Sequence, residues 1–188
     1  MTCLSRKDLG LFALRAAVGG VLFAHGTQKL FGWFGGGGLE GTASAMEQMG
    51  FEPGRRSALA AGLGEAGGGA LLLAGLATPA AGSIVAGTMA GAVSVSAPAG
   101  FFVTSGGYEY PALLGACGLA LGISGAGRFS LDEVTGHCLD RTSIGLISFA
   151  AAALAAAAVV TRRKDVIRRR EARAADEEAF QVEGTGLS

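Results

Sequence analysis

Apolar and polar positions alternate along the chain in long blocks. Predominantly apolar stretches cover Leu9 to Leu30, Ser57 to Ala77, Ala80 to Ala97, Pro111 to Ala126 and Ile144 to Val160. Each predicts a helix, and the last, with 17 residues, sits at the lower limit of about 17 for a membrane span. Between the first two, Thr42 to Met49 carries Ala43, Met46 and Met49 on one stripe. That predicts a short helix on the membrane surface or bundle end, capped by Gly41 or Thr42 and ended by Gly50 in the left-handed conformation. The tail from Thr161 predicts helix at first, fraying from Phe180 onward. The expected fold class is all-α, a polytopic membrane helix bundle with a four-helix core and a fifth, C-terminal transmembrane helix. Its units are residues 1–132, 133–161 for the polar loop and fifth span, and 162–188 for the tail.

Small residues mark where these helices can approach. Gly64 and Gly68, Gly118 and Gly122, and the Ser83, Gly87, Ala90 and Ser94 stripe each predict a packing face.

Charge changes the picture of the first helix. Arg15, His25 and Lys29 interrupt an otherwise apolar span, and ionisable groups in a span are functional candidates by default. At about 100° per residue, Lys29 lies roughly 40° from Arg15 and His25 roughly 80° away, so all three share an arc with Gly19, Leu22 and Gly26. The other side, with Phe12, Val18, Val21 and Leu30, is expected to face lipid. In an up-and-down bundle His25 and Glu65 each lie about 12 Å from their helix ends at the same membrane face. Lys29, one turn nearer the surface, can reach Glu65 or Glu109. Arg15 lies about 15 Å from His25, nearer the depth of Arg128 and Asp132. Two polar sites are expected: His25, Lys29, Glu65 and Glu109 with the 100–110 loop, and Arg15 with Arg128 and Asp132. Both readings of them stand: internal ion pairs that fix the bundle, or a ligand, proton or redox site in which His25 relays protons.

Composition bounds the class. The 188 residues are 50% hydrophobic and include 33 glycines, with a formal net charge of zero. From residue 57 to 127 the charged groups are Glu65 and Glu109, whereas Arg162, Arg163, Lys164, Arg168, Arg169, Arg170 and Arg173 crowd the tail. Such a basic cluster stays cytoplasmic. Five spans then put the N-terminus outside; four would put it inside, which Arg6 and Lys7 favour. Five are preferred, because the Ile144–Val160 run is too apolar to leave in water. Arg15 and the length of the first span argue for an uncleaved helix rather than a signal peptide.

Cys3, Cys117 and Cys138 are far apart and form no C-x-x-C. His137 and Cys138 near Asp132, Glu133 and Asp140 match no zinc spacing, so no metal is expected. The Gly35–Gly38 run lacks the context of a phosphate loop, and no dinucleotide fingerprint or nucleophile–base motif is present. No cofactor signature is evident; a quinone is the small molecule that an intramembrane Lys or Arg could hold by its oxygen.

The pattern resembles the DoxX family of small bacterial membrane proteins. The resemblance rests on Leu14-Arg15, His25-Gly26 with Lys29 and Gly32, Gly38-Leu-Glu-Gly41, and Met49-Gly50. It continues in Glu65 among its glycines, Gly100-Phe-Phe102, Gly107-Tyr-Glu-Tyr110, and the segment from Gly125 to Asp132. It implies a four-helix core in the bacterial plasma membrane and an association with redox chemistry. Relatives are described as a subunit of a thiosulfate:quinone oxidoreductase, or as membrane partners of superoxide dismutase and a sulfurtransferase in oxidative-stress defence. Two departures stand out. Relatives often carry His then Asn around the end of the third helix, where this chain has Ser96 and Ala99. The segment from about Ser143 lies outside the family core.

Three functions follow as expectations. The first is a membrane subunit or anchor of a quinone- or thiol-linked redox system. The second is a non-catalytic scaffold for soluble partners. The third is a small-solute or proton transporter, for which broken helices and an internal repeat are missing. Whether the chain is an enzyme stays open. The partners expected are the bilayer, soluble redox proteins and further copies of the chain; nucleic acid is not among them.

Overall fold

The computed structural model describes residues 5–185. Cys3 lies outside them. The long helices are α1 (Arg6–Phe31), α3 (Gly54–Ala74), α4 (Thr78–Ser96), α5 (Glu109–Ser124) and α7 (Thr142–Thr185). The surface helix α2 (Gly38–Gln48) follows α1, and one turn, α6 (Leu131–Val134), follows α5. No strand occurs among the described residues. The chain is an all-helical, polytopic membrane bundle.

Helix ends fall where the sequence offers left-handed or imino residues. Gly32, at φ 75°, closes α1, and its N–H donates to the Gln28 carbonyl. Pro79 sits in the first turn of α4, where its missing N–H costs nothing. Among the described residues, four helices are long and apolar enough to cross a membrane: Arg6–Phe31, Gly54–Ala74, Thr78–Ala99 and Thr142–Gln181. The 16 residues of α5 extend only about 24 Å, short of a hydrocarbon core of about 30 Å.

Side-chain contacts fix the directions. Arg15, near the start of α1, meets the end of α3, and Lys29, near its end, meets Glu65 of α3. Asp132, past the end of α5, meets the start of α4. Arg163 of α7 meets Met49 and the end of α4. The five apolar helices therefore run alternately. The start of α1 and the basic tail lie at opposite ends of the bundle, here called the Arg15 end and the Lys29 end.

Backbone approach without side chains is what the small residues supply. A Cβ on Gly26 would lie 2.2 Å from the Ala66 nitrogen, so α1 and α3 touch main chain to main chain. Gly82 repeats this for α4 and α5, where a Cβ would lie 2.4 Å from the Gly118 oxygen. Gly64 and Gly68 pack against Thr88, Val85 and Ile84 of α4, while α1 is received by Gly62 and Gly69 on another side of α3. Val18, Leu22, Leu72, Ala81, Val85, Met89, Leu114 and Leu121 fill the core between these seams.

Several expectations need correction. Val18 is 4% exposed because it shares a stripe with Arg15 and Leu22 rather than the lipid side. Leu30 is half-buried, filling the space above Gly62. Neither Gly41 nor Thr42 caps α2, which begins at Gly38; the Thr42 hydroxyl instead donates to the Lys29 carbonyl, 3.1 Å away. The tail does not fray at Phe180. The fifth span and the tail are one continuous helix through Thr185.

Candidate functional site

At the Lys29 end, α1 and α3 hold an ion pair. Lys29 Nζ lies 2.5 Å from Glu65 Oε2, with side-chain exposures of 25% and 7%. The register comes from the glycine seam: Gly26 against Ala66 sets Lys29 one turn further along α1, opposite Glu65. Thr42 ties α2 to the same turn through the Lys29 carbonyl. On the same helix, His25 Nε2 lies 3.3 Å from the Tyr110 hydroxyl, and their rings are 6.1 Å apart at centroids. The Glu65 carboxylate is within electrostatic reach of that hydroxyl. Tyr110 is 42% exposed, so the group is open on that side.

Glu109 does not join this set. Its Oε1 accepts from the Val103 N–H at 2.8 Å, and its own N–H donates to the Phe101 carbonyl at 2.9 Å. Both bonds fold the 100–109 loop into a tight return that delivers Tyr110. Glu109 is thus a loop fastener one residue away from the group that reaches His25.

At the Arg15 end the charges are answered by backbone. Arg15 is fully buried. Its guanidinium donates to the Leu72 carbonyl at 3.0 Å, the Leu73 carbonyl at 3.4 Å and the Phe129 carbonyl at 2.5 Å. The first two are carbonyls of the last turn of α3, that of Leu72 also accepting from the Gly75 N–H, and there a helix dipole favours a cation. Asp132, also fully buried, accepts from the Ala77 N–H at 2.8 Å and the Thr78 N–H at 3.0 Å. It caps the start of α4, where the dipole favours an anion. Gly75 stands between them, because a Cβ there would lie 2.2 Å from Arg15 Nη1. Arg128 is not brought in: its side chain is exposed, and its backbone N–H donates to Asp8 Oδ1 at 3.2 Å.

The model of the DoxX family matches residues 10–104. This chain belongs to the DoxX family. No curated protein and no solved structure matches it. The DoxX match holds Arg15, His25, Lys29 and Glu65 and stops before α5, so Tyr110, Glu109, Arg128 and Asp132 lie beyond it.

Two residues of the DoxX chain were not legible as site residues. Tyr110 reads in sequence only as an interfacial aromatic, and no spacing rule joins position 110 to position 25. Arg163 reads as one more tail charge, yet it donates to the Met49 and Ser94 carbonyls at 2.8 and 2.9 Å and lies 5.5 Å from the Phe51 ring centre. Elsewhere, His137 bridges Glu133 at 3.0 Å and Asp140 at 3.2 Å. Those hydrogen bonds, Asp140 first, raise its pKa above the ordinary 6.5. Among the described residues no three His, Cys, Asp or Glu side chains converge to hold a metal. Cys117 and Cys138 are free thiols.

Proposed function

We propose that this DoxX protein is the membrane subunit of a quinone- or thiol-linked redox system, and that His25, Tyr110, Lys29 and Glu65 form its quinone-facing site. The observation that carries the reading is the His25–Tyr110 pair. It places two exchangeable protons at an accessible position on the helix that carries the Lys29–Glu65 ion pair. A quinone becoming a quinol takes up two electrons and two protons. The two electrons come from two thiols, on a soluble partner such as the sulfurtransferase class that the family resemblance suggests, which are oxidised to one disulfide and release two protons. The protons pass through His25 and Tyr110, while Lys29 steadies the developing negative oxygen. The basic residues at the Lys29 end, with Arg55 and Arg56, favour placing that end in the bacterial cytoplasm.

The test is quinone titration of the full chain in nanodiscs. Saturable binding is expected, weakened about tenfold in Tyr110→Phe, the loss of one hydrogen bond worth about 1.4 kcal/mol. Absence of saturable binding to the wild-type protein would sink the reading. A scaffold is the second reading, favoured by the exposed helix beyond Glu171. It expects truncation after Thr161 to abolish capture of soluble partners while Glu65→Gln leaves capture intact.

A further inference from the structure

A second site stands at the root of the tail and is independent of the His25 group. An open cleft of about 580 Å³ runs along one face of α7 against the α2–α3 turn. Its floor is apolar: Ala157, Ala158 and Val166. Its rim carries Arg162 and Arg169, seven residues apart, hence about 10 Å apart along the helix and within about 20° of one face. The carboxylates of the cleft are already engaged. Glu52 pairs with Arg170, and Asp165 pairs with Arg168. Arg162 and Arg169 make no ion pair or hydrogen bond among the described residues. The adjoining cleft brings Glu47 near Arg162, but Glu47 Oε1 accepts from the Gly54 N–H at 3.1 Å and the carboxylate makes no ion pair with Arg162.

Two uncompensated guanidiniums over an apolar floor, where the uncharged run of α7 ends, describe one class of ligand. We propose that this cleft binds the headgroup of an anionic phospholipid. Arg162 and Arg169 hold the phosphates by charge-assisted, fork-shaped contacts, and the acyl chains lie on Ala157 and Ala158. A zwitterionic headgroup brings its own cation against the arginines and is disfavoured. Of the other basic residues of α7, Arg163 is engaged by the Met49 and Ser94 carbonyls and Arg168 and Arg170 by carboxylates, while Lys164 and Arg173 lie outside the cleft lining.

The test is lipid retention by the full chain, read by native mass spectrometry after extraction from equimolar phosphatidylglycerol and phosphatidylcholine nanodiscs. Wild type keeps phosphatidylglycerol selectively. Arg162→Gln with Arg169→Gln removes both phosphate contacts and lowers that selectivity about thirtyfold, about 1 kcal/mol per contact. Lys164→Gln with Arg56→Gln removes the same charge away from the cleft and leaves selectivity intact. Equal loss in both pairs overturns the proposal in favour of diffuse surface charge. Retained selectivity in the cleft variant, no selectivity in wild type, or displacement of the lipid by inorganic phosphate at millimolar concentration each overturns it as well.

Discussion

The two ends of α1 hold charge in opposite ways. At the Arg15 end a fully buried guanidinium and a fully buried carboxylate each satisfy backbone at a helix terminus, Arg15 at the end of α3 and Asp132 at the start of α4. They share one turn without making an ion pair with each other. At the Lys29 end the charges answer one another, side chain to side chain, and a titratable pair stands beside them with part of its surface open. Backbone carbonyls and N–H groups cannot titrate or be displaced, so the first arrangement serves the fold. Side-chain pairs can exchange protons and partners, so the second is the one suited to chemistry.

The largest expected effect comes from breaking the Arg15 end. Arg15→Met removes the guanidinium donors from the Leu72, Leu73 and Phe129 carbonyls, leaves a hydrogen-bond-poor buried position and strips Asp132 of its nearby cation. A loss on the order of 3 kcal/mol is expected, read as a lowered unfolding midpoint in detergent. An unchanged midpoint would remove the distinction between the ends. Glu65→Gln should cost less, about 1–2 kcal/mol, because Lys29 is one-quarter exposed and can turn toward the interface. Its larger consequence should be on quinone affinity, which Arg15 variants that still fold leave untouched.

The smallest effect belongs to His137, outside both sites. Its folded pKa is raised by Asp140 and Glu133, so its contribution to stability is full below about pH 6.5 and fades as pH rises through the folded value. Melting of wild type and His137→Ala should differ at about pH 5 and converge at about pH 8.5. Parallel curves across that range would show that the bridge contributes nothing.

What was legible in sequence follows from period and spacing. The apolar blocks gave the helices to within a few residues, and the arc shared by Arg15, His25 and Lys29 faces protein. Depth matching set His25 level with Glu65 and left Lys29 within reach of Glu65 or Glu109, since rise per residue is nearly constant in a helix; Lys29 meets Glu65, and His25 meets Tyr110. What failed were contacts set by tertiary placement. Glu65 and Glu109 were equivalent as partners for Lys29 until the 100–109 loop folded and took the Glu109 carboxylate for Val103. Val18 was misassigned because the apolar arc of α1 is buried on both sides of its charged stripe. The extent of α7 was missed because charge density argues for fraying, whereas i,i+3 pairing of Arg168 with Asp165 and docking of Arg163 and Arg170 favour helix.

Mechanically, α7 is a cantilever. Its root is clamped from Arg163, which grips the Met49 and Ser94 carbonyls, to Arg170, which pairs with Glu52, and an arm of about 17 Å runs from there to Gln181. Anything that grasps the tip applies torque at the clamp rather than along the rod. That torque falls on the turn after α2 and on the end of α4, the two segments that neighbour the Lys29 end. A load on the tail is therefore felt first next to the titratable group, and last at the Arg15 end.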